Sequence, residues 1–188
     1  TGLGAESGSV TAVGDGFSQK FEGGTIYWTK DEGAKVLYGA VDAKYIEEGG
    51  LTGRLGAPTE SEKDGPFDPG RQAEFAAEDE PKIYWTPTNG AWVVRGAFEA
   101  ALDKLTPATL GAPLADQTES GDELSQRFAN GTLTFNKANN TWTTPNPEWT
   151  TALSGLSIPG LPDVNAPSAD VNAPGVSANV SAPNVDVN

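Results

Sequence analysis

Residues Lys82–Gly96 read KIYWTPTNGAWVVRG, and residues Gly24–Gly39 read GTIYWTKDEGAKVLYG. In both, a run of strand-forming residues ends on Thr, crosses a turn ending in Gly, and resumes as a second apolar run. Strand formers on either side of Asn-Gly or Asp-Glu-Gly spell a β-hairpin. A hairpin written twice points to a chain assembled from repeated supersecondary units.

Working outward from the hairpins, the same landmarks recur in order. Leu3-Gly4-Ala5 returns as Leu55-Gly56-Ala57-Pro58 and as Leu110-Gly111-Ala112-Pro113. Each is followed by a framed aromatic (Phe21, Phe75 and Phe128), then by Ile26–Thr29, Ile83–Thr86 or Leu133–Asn136, then by a turn rich in Asp, Asn and Gly. After the second strand, Val41, Tyr45 and Ile46 are spaced as one face of a short helix stopped by Gly49-Gly50. Phe98, Ala101, Leu102 and Leu105 repeat that spacing, with Pro107 beyond. The third helix opens differently, with Asn146 as N-cap and Pro147 in its first turn. The second copy carries extra residues before Ile83, in an acidic Glu78-Asp79-Glu80.

The predicted fold is therefore mainly β with short helices. Tandem hairpin-plus-helix repeats occupy about 1–54, 55–109 and 110–156, in a propeller-like or arc arrangement. An extended Pro/Val/Asn-rich tail follows at 157–188, where Asp163-Val-Asn-Ala-Pro167 returns as Asp170-Val-Asn-Ala-Pro174. That composition disfavours helix and suits either a flexible linker or a segment lying along a surface. We expect strand edges left exposed by such an array to need a cover, from the tail or from another protein.

Composition narrows the chemistry. The 188 residues hold 12 Lys and Arg against 26 Asp and Glu, a formal charge of −14, which repels nucleic acid and anionic membranes. With no His, Cys or Met, there is no Ser-His or Cys-His pair, no usual zinc site and no disulfide. Carboxylate chemistry alone remains, and Glu60 with Glu62, or Glu78-Asp79-Glu80, reads more simply as solvated surface. Asp15-Gly16, Asp64-Gly65 and Gly121-Asp122 read as turns rather than calcium ligands. We expect no enzyme activity, no cofactor and no metal. No apolar run approaches the roughly 18 residues of a membrane span. A chain opening on Thr1 rather than Met suggests a leader removed or omitted, and so a secreted, processed protein.

Alternation of side chains puts Ile26 with Trp28, Ile83 with Trp85, and Leu133 with Phe135 on one face. Together with Phe21, Phe75 and Phe128 these are predicted as core, as is Trp142. Tyr27, Tyr38, Tyr84, Trp92 and Arg95 are left as surface candidates for binding glycan or a protein partner. Flat aromatics stack on sugar rings while Arg, Asp and Asn bond hydroxyls. The alternative is that these residues merely cover the seams between units.

Gly39-Ala-Val-Asp-Ala-Lys-Tyr-Ile-Glu-Glu-Gly-Gly50, Leu55-Gly-Ala-Pro58 with Glu60 and Glu62, Asp64-Gly65, and Ile83-Tyr-Trp-Thr-Pro-Thr-Asn-Gly-Ala91 together resemble the LGFP-repeat family. The signature aromatic is replaced by Ala57 and Ala112, and the usual His by Lys35 and Trp92. The resemblance implies a secreted envelope protein of mycolic-acid-containing actinobacteria. It implies non-catalytic repeats that dock on wall polysaccharide, arabinogalactan in particular. A structural or accessory subunit of an envelope protein complex is the competing expectation.

Overall fold

The structure, a computed structural model, describes residues 2–161. Three antiparallel four-stranded sheets follow one another, each with its strands paired in chain order. The first comprises β1 (Thr11–Val13), β2 (Gly16–Lys20), β3 (Gly24–Thr29) and β4 (Gly33–Tyr38). The second comprises β5 (Lys63–Asp64), β6 (Arg71–Glu74), β7 (Lys82–Thr86) and β8 (Gly90–Val94). The third comprises β9 (Thr118–Ser120), β10 (Glu123–Phe128), β11 (Gly131–Asn136) and β12 (Thr141–Thr143). The helices are α1 (Gly39–Glu47), α2 (Ala97–Leu105), α3 (Pro107–Leu110) and α4 (Pro147–Leu153). The mainly β fold with short helices is thus as read. The hairpins are β3–β4, β7–β8 and β11–β12, and the strands before each hairpin were not legible as such. Among the described residues no helix is long and apolar enough to cross a membrane.

The first two strand-to-helix corners turn on a glycine in left-handed backbone, Gly39 at φ +47° and Gly96 at φ +53°. A side chain there would be strained, so the corner selects Gly. The turn sends α1 back over its own sheet, where it also meets β6, β7 and β8 of the next sheet. Val41 and Tyr45 are buried, whereas Ile46, expected on the same face, points to solvent. Tyr45 stacks on Phe75 with ring centroids 4.8 Å apart, and its hydroxyl donates to the Gly56 carbonyl at 2.8 Å. One core therefore holds Tyr27, Leu37, Val41, Tyr45 and Leu55 against Ala73, Phe75, Ile83 and Val93. The second core repeats the plan. Tyr84, Val94, Phe98, Ala101, Leu102 and Leu105 meet Leu124, Phe128, Leu133, Phe135 and Trp142 of the third sheet. Trp142 is core as expected, but it pairs with Phe135, as Ala34 does with Trp28 and Ala91 with Trp85.

Helix α4 begins as read: the Asn146 side chain accepts from the Glu148 N–H at 2.9 Å and Pro147 occupies the first turn. Leu153 is buried, and α4 leans on α2 and β12. Ile158 joins the second core. The expectation that the tail covers an open edge falls, beyond residue 161, outside the described residues.

Hydrogen bonds stitch successive units at the exposed edge of each last strand, where backbone groups would otherwise lack partners. Val36 N–H donates to Ser61 Oγ at 3.0 Å, and Glu62 N–H donates to the Val36 carbonyl at 2.8 Å. One unit on, Val93 N–H donates to Asp116 Oδ1 at 2.8 Å, and Gln126 Nε2 donates to the Val93 carbonyl at 2.7 Å. Asp116 also draws in Lys44 of α1, whose Nζ lies 2.5 Å from Oδ2, 3.2 Å from Glu48 and 5.9 Å from the centre of the Trp92 ring. Burial disfavours the Lys44 ammonium, but its contacts with Asp116 and Glu48 outweigh that and hold its pKa above the usual lysine value. All three units thus meet at one cation.

Replacing Lys44 by Ala is expected to destabilise the fold by about 2 kcal/mol, less than for a fully buried pair because Asp116 keeps some contact with water. Urea unfolding of Lys44→Ala beside the parent chain checks it. A change within error would show that the Lys44 ion pairs add nothing to the joining of the units.

Candidate functional site

The structure divides the five predicted site residues. Tyr27 and Tyr84 are not on the surface: they are 5 % and 3 % exposed. Each phenol reaches an acid on the helix of its own unit, Tyr27 to Asp42 Oδ1 at 2.7 Å and Tyr84 to Glu99 Oε1 at 2.8 Å. Burial, then the bond and charge of Asp42, push the Tyr27 phenol above its ordinary value. Burial, then the charge and bond of Glu99, do the same to Tyr84. Burial also raises the Glu99 carboxyl, against the pull of Lys82 at 2.8 Å.

Conversely Trp28, predicted as core, is 40 % exposed, Phe17 beside it is 45 % exposed, and Ile26 and Phe21 are half-buried. Their counterparts Ile83, Leu133, Phe135, Phe75 and Phe128 are buried as read, and Trp85 is half-buried against the first core. The face is the same in each sheet. Only in the second and third does a preceding helix lie on it.

Trp92 is half-buried, donating its indole N–H to the Asn89 carbonyl at 2.6 Å, with Lys44 over its ring. Arg95 is ion-paired with Asp79. Asp79 belongs to the acidic insertion of the second unit, so that insertion serves the corner: its carbonyl also accepts from Gly96 N–H at 2.7 Å. Trp92 and Arg95 are therefore largely spoken for within the fold.

Tyr38 stands differently. At the end of β4 it borders a cleft of about 590 Å³ together with Gly2, Gly23, Gly39, Glu62 and Arg71. The cleft opens between the first and second units. Gly39 lines it, and the space beside its α-carbon is open, with nothing within 4 Å of where a Cβ would stand. Glu62 is anchored from below: Oε2 accepts from Tyr38 N–H at 2.7 Å and Oε1 from Arg71 Nε at 3.0 Å. Arg71 is further fixed by the Glu62 carbonyl at 3.1 Å and by Asp64 at 2.5 Å. Beside the opposing carboxylates its guanidinium is held above its usual pKa, the bond to Glu62 contributing most. The side chain keeps 32 % of its surface in solvent, so a fixed donor faces the cleft next to an aromatic ring.

Arg71 was not singled out from the sequence, and Glu62 was named there only beside Glu60, in the family resemblance and as an acid pair read as solvated surface. Glu62 reads as one more surface acid there, and Arg71 is remote from Tyr38 in the chain. The available signal was positional. Arg71 pairs with Trp85 just as Phe17 pairs with Trp28 and Leu124 with Phe135, so a cation stands where the other units have an apolar residue.

A second concavity, of about 410 Å³, lies between β1–β3 and the end of α1, lined by Val13, Thr25, Tyr27, Ile46 and Leu51 among others. It holds no anchored charged group of this kind. Among the described residues no three His, Cys, Asp or Glu converge as metal ligands.

A family model described as the LGFP repeat matches the chain twice, over residues 3–53 and 55–106. The two matches coincide with the first two sheets and their helices, and the third sheet lies beyond them. No curated protein matches the chain.

Because the phenols of Tyr27 and Tyr84 have folded pKa values above the unfolded value near 10, the stability they lend is complete below that pH. It is lost as pH rises beyond it. Urea midpoints should therefore fall from about pH 10 upward. Tyr84→Phe should cost about 1 kcal/mol at pH 7 while making the alkaline fall shallower. An unchanged alkaline slope in Tyr84→Phe would contradict the buried Tyr84–Glu99 contact.

Proposed function

The chain belongs to the LGFP-repeat family, and from that premise we propose that it is a secreted, non-catalytic protein of the cell envelope. We further propose that it holds a wall polysaccharide of the arabinogalactan type at the cleft between its first two units. The observation that carries the reading is the pairing of Tyr38 with the Glu62-anchored Arg71 on one open cleft. A ring such as Tyr38 offers the apolar face of a sugar a surface to stack on, and a fixed guanidinium offers hydroxyls directed donors. Anchoring the guanidinium, and the backbone that carries the ring, beforehand lowers the ordering cost of binding. A neutral glycan is indifferent to the charge of −14, which a polyanion is not. In this reading Glu62 positions its neighbours and is no proton shuttle, since backbone and guanidinium N–H groups already occupy both of its oxygens.

A second reading, an accessory subunit that binds an extended polypeptide in an envelope assembly, has an observation of its own. At the next seam Gly96, Gln117 and Leu124 stand where Gly39, Glu62 and Arg71 stand at the first. There the chain's own Ile158–Leu161 borders the corresponding space. That seam meets peptide; the first has an aromatic and a charged lining in its place, which favours glycan.

Isolated arabinogalactan should retain the full chain at low and at high salt. Tyr38→Ala and Arg71→Gln should each weaken binding about tenfold, or ~1.4 kcal/mol. Trp92→Ala should leave it unchanged. No retention at any salt overturns the reading, and a stoichiometric protein co-purifying through the same cleft would establish the second one instead.

A further inference from the structure

The outer face of the first sheet is the largest break in the repetition. Its two ends of the array differ in kind. On the last sheet the outward residues are Glu123, Ser125, Arg127, Thr132, Thr134, Asn136, Thr141 and Thr143, polar without exception and none of them buried. On the first sheet the outward positions hold Ala12, Phe17, Ile26, Trp28, Ala34 and Val36, with Gln19 and, at the end of β4, Tyr38 as the side chains that carry a polar atom. Val10, just ahead of β1, is 59 % exposed. A face free of charged side chains is notable on a chain with 26 acidic residues. Arrays of stacked units usually finish on a polar face; the outward face of the last sheet is of that kind and the outward face of the first is not.

The two internal seams show what covers such a face. Against the second sheet lies α1, with Val41 and Tyr45 in the core beside Ile83 and Val93. Against the third lies α2, with Phe98 and Leu102 in the core beside Leu133 and Phe135. At each seam the covering unit also offers its last strand edge: Val36 N–H goes to Ser61 and Val93 N–H to Asp116. Ser61 and Asp116 follow the bridge residues Pro58 and Pro113 by the same interval that separates Ser9 from Glu6, and all three bridge residues pair with the framed Phe of their unit. Ser9 therefore stands ready where the other two capture an edge. Phe21 likewise waits where Phe75 receives the Tyr45 ring.

We propose that the outer face of the first sheet is a docking surface for a further unit of this same kind, whose helix packs on Phe17, Ile26 and Trp28 and whose last strand edge is held by Ser9. The occupant is thus a helix with an aromatic-aliphatic stripe like that of α1 or α2, carried beside a free strand edge. It adjoins the cleft only at Tyr38, at the end of β4, and its packing residues Phe17, Ile26 and Trp28 do not line that cleft, so it stands or falls without the glycan reading.

The test extends the full chain by a second copy of residues 3–54 placed directly before Leu3, which recreates the natural Arg54-Leu-Gly-Ala junction. Hydroxyl-radical labelling of Phe17 and Trp28 in the inner copy should drop severalfold, and the melting temperature should rise by about 5 °C. Trp28→Glu in the inner copy should cancel both. Labelling and melting equal to the parent's overturn the proposal. So does sedimentation showing that the unextended chain dimerises and that Phe17→Glu disperses the dimer, because the face would then pack copy against copy. If the extended chain fails to fold, a hydrocarbon-stapled peptide of residues 39–48 is titrated into the parent chain. Protection of Trp28 then supports the proposal and its absence overturns it.

Discussion

A helix pressed between the sheet it follows and the sheet it precedes is the contact on which everything else in this molecule rests. Strands of two to six residues cannot hold a sheet in water by their ladders alone. Each sheet must bury a face, and the nine-residue helices α1 and α2 give each neighbouring pair of sheets a shared core. Sharing makes the units interdependent: Tyr45 belongs to the first unit by sequence and to the second by its stack on Phe75. Lys44 extends that dependence to the third unit through Asp116.

The same constraint explains which parts of the fold were legible. Turn residues and period-two alternation located the hairpins, and the recurring Leu-Gly-Ala and Phe landmarks located the units. Alternation specifies which residues share a face but not which face meets the core. In an array where helices cover both faces of an inner sheet, that question has different answers in different units. Ile83 and Leu133 are buried because a preceding helix lies on them; Ile26 and Trp28 carry the same pattern without that helix. The tyrosines failed for a related reason. Alternation set them opposite the expected core, but they face the helix of their own unit, and their hydroxyls are satisfied by Asp42 and Glu99. An acid at the same distance after each Tyr was the signal, and the third unit, with Thr134 in that place, has no such contact to make.

The cleft was less legible still, because its lining comes from two units. Tyr38 ends β4, while Glu62 and Arg71 belong to the next repeat and enter only because that repeat stitches itself to the edge of β4. Reading units one at a time isolates Tyr38 from its partners and leaves Glu62 as an unexceptional acid. The seam creates the site. That is a general property of stacked repeats, where each unit brings half of every interface and function gathers where halves meet.

The seams also show how near-identical units acquire different roles. Tyr38 and Arg95 occupy the same place at the end of their strands. A three-residue lengthening before Ile83 brings Asp79 onto Arg95 and Gly96, and with Ile158 packed nearby the second corner is occupied from within. The first unit has no such insertion, so Gly39 remains open and Tyr38 keeps a free flank. The outward face of the third sheet shows the same logic: no helix among the described residues lies on it, threonine and serine stand in place of apolar pairs, and the ladder closes against water. Small local changes on a fixed scaffold therefore decide whether each seam is sealed by the chain itself, left as a cleft or finished with a solvated face.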